Sequence, residues 1–163
     1  MSLEKTASWS TPEAHRIARI SYRMLDYWIR EGLVEPAVPA KGTGNRRRFS
    51  WRDLVAVRAI AALREAGVSL QAVRKVQAAL VEFEGDDEAL RAGRLIIEQG
   101  RKKPEVGVAI SDDEILRLLN EPGQSAMRTV FDIAPVYADV AHGVAELAKE
   151  SRAEKPVQEG RAA

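Results

Sequence analysis

Residues 21–53 read SYRMLDYWIREGLVEPAVPAKGTGNRRRFSWRD, and this stretch decides the fold. Its first ten residues mix apolar and basic side chains at helical spacing, which places Leu25 and Trp28 on one face. Gly32 is a favourable residue just past a helix end, and Pro36 prevents the helix from resuming. Three consecutive arginines follow a glycine-containing turn. The pattern predicts a helix and then a narrow basic hairpin, which is an arrangement suited to a DNA groove and its flanking phosphates.

Helix start signals on both sides of this stretch predict three further helices. Ser10 and Glu13 have the three-residue spacing of a capping box, Ser50 and Asp53 repeat it, and Ser69 can cap the last of these helices. Apolar residues recur at helical spacing behind each start signal. The predicted elements of this half are helices near residues 10–19, 21–31, 51–66 and 69–83, with a two-stranded wing over residues 38–49.

Five short motifs occur in order within residues 9–81. They are SYR at 21–23, LDYW at 25–28, GLV at 32–34, RRFS at 47–50 and LREAGVSL at 63–70. Their order and spacing resemble the N-terminal domain of the MerR family of winged-helix transcription regulators. The resemblance implies a DNA-binding winged helix–turn–helix, a near-palindromic site and distortion of promoter DNA, and it allows RNA polymerase as a partner. Asp26 departs from the family pattern, because many members carry a second arginine there, and this removes one expected phosphate contact.

The charge of the chain is divided unevenly between its halves. Residues 1–80 contain 14 Lys and Arg against 7 Asp and Glu, whereas residues 81–163 contain 11 against 17. A basic half joined to an acidic half indicates that one part meets a polyanion. Two ordinarily solvated surfaces are the alternative, and the clustering of arginines argues against them.

Cations and hydroxyl groups on the helix and the wing are the candidate DNA contacts. Arg23 lies near the start of the helix, where side chains meet base edges or phosphates. Strand alternation sends Arg46 and Arg48 to one side of the wing and Arg47 to the other. The family resemblance favours Arg47 as the phosphate-binding residue of the wing, whereas Tyr27 fits either the core or the DNA surface. The predicted DNA-binding residues are Tyr22, Arg23, Tyr27, Lys41, Arg46, Arg47, Arg48 and Arg52.

A run of acidic residues near position 85 separates a second half with a different pattern. Strands are predicted near residues 95–97, 106–110 and 127–133, and amphipathic helices near 111–122 and 135–149. The fold class is therefore mainly α, with an N-terminal winged helix–turn–helix (residues 1–84) and a small α+β domain (residues 85–150). Residues 151–163 are small and charged, which predicts a disordered tail. The second half weakly resembles the small C-terminal domains of actinobacterial MerR-like regulators, a likeness that assigns no ligand.

The sequence lacks the residues and motifs that several kinds of chemistry require. There is no cysteine, which excludes disulfides and thiolate metal sensing. His15 and His142 are far apart with no third ligand in view, so we predict neither a metal nor another cofactor. The sequence contains no phosphate-binding glycine loop, nucleophile elbow or metalloprotease motif, so we predict that the protein is not an enzyme. With no membrane span or secretory signal, the expected location is the cytoplasm, in association with the nucleoid.

Double-stranded DNA and a second copy of the chain are the predicted partners. A three-stranded sheet this small has edges and a face that need cover, and a partner copy would supply it, so the C-terminal half is predicted to form the dimer contact. A monomeric domain holding a small ligand is the alternative. Two other functions stay open, namely an excisionase-like architectural protein that bends DNA, and a ligand- or protein-binding module whose basic half is incidental.

Overall fold

The computed structural model describes residues 7–42, 46–82, 94–99, 105–109, 113 and 127–154, and it confirms a mainly α fold. The first half contains β1 (Trp9–Ser10), α1 (Thr11–Ile17), α2 (Tyr22–Arg30), β2 (Arg48–Phe49), α3 (Trp51–Glu65) and α4 (Leu70–Glu82). The second half contributes β3 (Arg94–Gln99), β4 (Glu105–Ala109), β5 (Met127–Asp132) and α5 (Ala134–Ala153). No helix within these ranges is both long enough and apolar enough to cross a lipid bilayer.

Local hydrogen bonds start the helices where the spacing of polar residues predicted them. The backbone N–H of Ser10 donates to the Glu13 carboxylate at 2.7 Å, and that of Ser50 donates to Asp53 at 2.7 Å. The Ser21 hydroxyl accepts a hydrogen bond of 3.1 Å from a backbone N–H in the first turn of α2. Such caps satisfy backbone groups that have no partner inside the helix, and each contributes about 1 kcal/mol.

A left-handed glycine ends α2, as the sequence predicted. Gly32 has a φ of +69°, a conformation that costs glycine little because it has no Cβ. The N–H of Leu33 then donates to the carbonyl of Trp28 at 2.8 Å, which closes the end of the helix. Leu33 and Val34 turn back into the core, where both are buried.

The core of the first half lies between α1, α2 and α3. Ile17 of α1, Leu25 of α2 and Leu54 of α3 are almost completely buried. Trp28 joins them with 4% of its surface exposed, so the predicted inner face of α2 is confirmed. Because this face is fixed against α1 and α3, the opposite face of α2 is left to solvent.

The wing is built around β2 and differs in detail from the predicted hairpin. Arg48 pairs with Val38 through two backbone hydrogen bonds of 2.9 and 3.1 Å, which closes the hairpin as a single bridge. On its other edge β2 pairs antiparallel with β1, with Trp9 opposite Phe49. The regular two-stranded sheet therefore joins the wing to the residues before α1, because their backbone lies beside β2. The wing tip at residues 43–45 is outside the described residues.

The second half forms an antiparallel sheet in the order β4–β3–β5, followed by α5. Leu95 and Ile97 alternate along β3 and enter the core, and they belong to the same buried cluster as Val136 and Val140 of α5. The strands lie where the sequence predicted them, whereas the predicted helix at 111–122 falls mainly outside the described residues. The α5 helix runs to Ala153, three residues into the segment predicted to be disordered. The reason is that Arg152 and Ala153 are good helix formers and that Glu150 pairs with Arg16 of α1.

The α5 helix packs across α1 and α3 and joins the two halves. Gly143 lies so close to α1 that an added Cβ would stand 2.9 Å from the carbonyl oxygen of Ile17. Arg58 of α3 is largely buried and donates to Asp139 of α5 at 2.9 Å. Burial lowers the pKa of Arg58, but hydrogen bonds to Asp139 and Glu65 outweigh burial and raise that pKa above its usual value. The halves share one hydrophobic core, and the division of the chain at residue 84 stays a prediction.

Candidate nucleic-acid interface

The solvent face of α2 carries the first group of predicted contact residues. Tyr22 is 50% exposed, Tyr27 is 45% exposed, and Arg23 is also exposed. These side chains lie away from Leu25 and Trp28, which are buried on the inner face. Of the two environments that the sequence left open for Tyr27, the structure gives the exposed one. The helix therefore displays two phenols and one guanidinium in its first two turns.

Tyr22 is held at the start of α2 by a contact with α1. Its ring meets the ring of His15 edge to face, with centroids 5.8 Å apart and planes at 83°. The Nδ1 atom of His15 is 3.0 Å from the carbonyl oxygen of Ile20, so the imidazole is itself anchored to the turn between the helices. His15 therefore supports the position of Tyr22 on the exposed face.

The three wing arginines point in alternating directions, as an extended backbone predicts. Arg46 and Arg48 are exposed, whereas the Arg47 side chain is only 27% exposed. Arg48 also donates from Nε to the Ser8 hydroxyl at 3.1 Å, which orients its guanidinium beside β1. The outward surface of the wing thus presents Arg46 and Arg48.

Arg47 has a partner that the sequence did not reveal. Its Nη1 atom donates to Oδ1 of Asp26 at 2.9 Å, and Asp26 lies in the middle of α2. The other carboxylate oxygen, Oδ2, is 3.2 Å from Nε of Arg30 one helical turn later. The predicted phosphate ligand of the wing is therefore bound within the protein. Spacing could not predict this pair, because its members are 21 residues apart and belong to different elements.

Lys41 and Arg52 are the two remaining predicted contact residues, and they belong to different segments. Lys41 is exposed next to the wing tip, and Arg52 is exposed in the first turn of α3. Arg52 and Asp53 also line a cavity of about 620 Å³, whose other walls come from the segment after α2 and from α4, β3 and α5. The Asp53 carboxylate accepts a hydrogen bond of 2.9 Å from the N–H of Ala37. This bond ties the start of the wing to α3 and fixes where the wing leaves the domain.

Arg19 is a candidate contact residue that the sequence analysis missed. It is exposed in the turn between α1 and α2, and its φ of +56° is uncommon for a residue with a side chain. The turn is closed by a 3.0 Å hydrogen bond from the N–H of Ile20 to the carbonyl of His15. Glycine is the usual residue at such a position, and arginine places a cation there instead. The sequence analysis missed Arg19 because it falls at the end of the first predicted helix.

Known proteins resemble the first half of this chain. Residues 10–80 match the family model described as "MerR HTH family regulatory protein". Two curated relatives are the uncharacterized HTH-type transcriptional regulators Rv1830 of Mycobacterium tuberculosis and Mb1861 of Mycobacterium bovis. Each is 36% identical over 72 residues, which cover 44% of this chain and 32% of the relative. The matched region thus spans about a third of the length of these relatives.

The comparison with solved structures also gives a match over a longer stretch. It is the crystal structure of HiNmlR, a MerR family regulator lacking the sensor domain, bound to promoter DNA. The likeness covers 90% of this chain and 80% of that one, with 18% sequence identity and a TM-score of 0.42. The family match, by contrast, coincides with the helices and the wing described above. Over residues 10–80 this chain therefore matches the helix–turn–helix domain of the MerR family.

Proposed function

We propose that the protein is a transcriptional regulator of the MerR type that binds specific sequences in double-stranded DNA. The proposal rests on one observation: the exposed face of α2 carries Tyr22 and Arg23, and the wing, which contacts α2 through Arg47 and Asp26, exposes Arg46 and Arg48. An α-helix with its side chains is about 10–12 Å across, which fits a major groove about 12 Å wide. Cations on the wing would then meet the phosphates that border the groove.

The two surfaces would divide the work of recognition. Arg23 and the two tyrosines of α2 would meet base edges, where donors and acceptors distinguish one base pair from another. Arg46 and Arg48 would meet phosphates, which fix the position of the protein but carry no sequence information. Lys41, Arg47 and Arg52 complete the predicted set; Arg47 is the one whose role the pairing with Asp26 puts in question.

We further propose that the protein binds a near-palindromic promoter site as a homodimer. One winged helix covers few base pairs, and two-fold symmetry is the commonest way to present a second copy. The apolar face of α5 is packed inside its own chain, which leaves the outer strands β4 and β5 of the described sheet as the better candidates for the contact. Exposed Val130 on β5 fits such a surface.

Binding to chromosomal DNA would place the protein in the cytoplasm with the nucleoid, where RNA polymerase is a further partner.

Light scattering on the full chain, free and bound to a selected duplex, tests the dimer. We expect two copies per duplex. A single copy in both conditions would rule out the homodimer while leaving DNA binding intact.

Equilibrium binding to a random-sequence duplex pool at rising salt tests the function itself. The logarithm of the binding constant should fall linearly with the logarithm of salt concentration, because phosphate contacts release counterions. The double variant Arg46→Gln/Arg48→Gln should flatten this slope by about 2. Arg152→Gln on α5 is a control, because it removes an exposed cation far from α2 along the chain. Absence of duplex binding by the wild type at low salt would overturn the proposed function.

A further inference from the structure

We propose that Asp26 and Arg47 form a positioning pair that fixes the wing against the recognition helix, and that Arg47 is not a phosphate contact. This inference rests on the proposed DNA-binding function. It departs from the role that the family resemblance implied for the wing arginine, and it gives a purpose to the acidic residue at position 26.

The distance and the burial of the pair indicate a stable contact. Nη1 of Arg47 and Oδ1 of Asp26 are 2.9 Å apart, and the two side chains are only 27% and 30% exposed. Arg30 occupies the second carboxylate oxygen from the solvent side, with 65% of its side chain exposed. Both oxygens of Asp26 therefore have a guanidinium partner. A short charge-assisted hydrogen bond between partly buried groups resists exchange with solvent better than an open surface pair.

The wing needs such a contact because its other described hydrogen bonds do not join it to α2. Val38 and Arg48 close the hairpin on itself, and Ala37 is bound to Asp53 of α3. The Asp26–Arg47 bond joins the wing directly to α2. Since α2 would read bases while the wing would hold phosphates, the angle between them decides whether both can contact one duplex. A displacement of the wing would cost specificity even with every contact residue still present.

The pair also reduces the repulsion that an acidic residue would cause at a DNA surface. Asp26 lies between Arg23 and Tyr27 on α2, so its carboxylate is close to the surface proposed to face the duplex. Arg47 and Arg30 offset its negative charge. The alternative is that Arg47 leaves Asp26 when the protein binds DNA and contacts a phosphate instead. The two readings predict different salt dependences.

The first test compares Arg47→Gln with Arg46→Gln on a duplex that the wild-type protein selects from a random pool. Arg46 is the neighbouring exposed cation, so its loss should flatten the log–log salt slope by about 1. Arg47→Gln should leave the slope unchanged while lowering affinity for the selected duplex. If Arg47→Gln instead flattened the slope by about 1, Arg47 would be a phosphate contact and the proposal would be wrong.

The second test removes the pair without changing the net charge. The double variant Asp26→Asn/Arg47→Gln should reduce the preference for the selected duplex over random duplex by about tenfold, within the range of one specific base contact. Affinity for random duplex should stay the same. Arg16→Gln/Glu150→Gln is the matched control, because it neutralises an ion pair between α1 and α5. Unchanged preference in the first double variant would overturn the proposal.

The third test does not require DNA. A double-mutant cycle on thermal unfolding should show that Asp26→Asn and Arg47→Gln are not additive, because each removes the same bond. Additive effects would overturn the pairing in the free protein. If instead the cycle shows coupling but the wild type binds no duplex, it is the proposed function that fails, and the two failures remain distinguishable.

Discussion

The winged-helix region and the C-terminal region use their charged residues in opposite ways. The winged-helix region exposes Arg23 and Arg46 to solvent. The C-terminal region directs acidic side chains of α5 back onto the protein, where Asp139 pairs with Arg58 of α3. Asp139 thus offsets a basic group on α3 and leaves the exposed cation Arg23 of α2 without such a partner from α5 among the ion pairs of the described residues. A total charge of only +1 is therefore compatible with exposed arginines on α2 and the wing.

The largest expected effect comes from separating the two regions. Gly143→Val places a side chain against the backbone of Ile17, at a position where even a Cβ would lie 2.9 Å from the carbonyl oxygen. Overpacking of this kind should destabilise the protein by about 2–3 kcal/mol. Ala141→Val on the same helix is the control, since Ala141 is exposed. Chemical denaturation measures the difference, and equal stability of both variants would show that the packing of α5 on α1 contributes little.

A smaller effect is expected from the ion pair between α3 and α5. Asp139→Asn leaves the largely buried Arg58 with a weaker hydrogen-bond partner and should cost about 1–2 kcal/mol. Glu150→Gln changes an ion pair whose side chains are both more than half exposed, so solvent screening should make its effect much smaller. Denaturation midpoints of the two variants compare the stability that each one loses. An equal loss in both would mean that the burial of Arg58 carries no additional stability.

The smallest expected effect is local to the winged-helix region. Ser50→Ala removes the hydroxyl that accepts a hydrogen bond from the Asp53 N–H at 3.2 Å and should cost about 1 kcal/mol. Ser151→Ala in the exposed last turn of α5 should have almost no effect. The same denaturation assay compares them. No loss in Ser50→Ala would indicate that packing of α3, and not its cap, determines where the helix starts.

Features that depend on residues close together in the sequence could be predicted. The caps at Ser10, Ser21 and Ser50 were predictable because their bonds join residues three apart. The inner face of α2 was predictable because helical spacing places Leu25 beside Trp28. Strand β3 was predictable from its run of β-branched and aliphatic residues.

Contacts between distant segments could not be predicted in the same way. The pairing of Arg47 with Asp26 requires the wing to lie against α2, and that of Arg58 with Asp139 joins residues 81 positions apart. The closeness of Gly143 to α1 likewise depends on how two helices cross. Of the candidate site, the exposed residues of α2 agree with the sequence analysis, whereas the inward position of Arg47 emerged only from the folded chain.

Site selection from a random duplex pool tests most directly whether α2 reads DNA. The wild-type protein should enrich a defined site, and Arg23→Ala should lose preference at one or two base positions. One base-edge contact is worth about 1–3 kcal/mol of discrimination. Arg152→Ala, which removes an exposed cation on α5, should select the wild-type site. If Arg23→Ala selected the same site with undiminished affinity, α2 would not be the reading helix and the central claim would be contradicted.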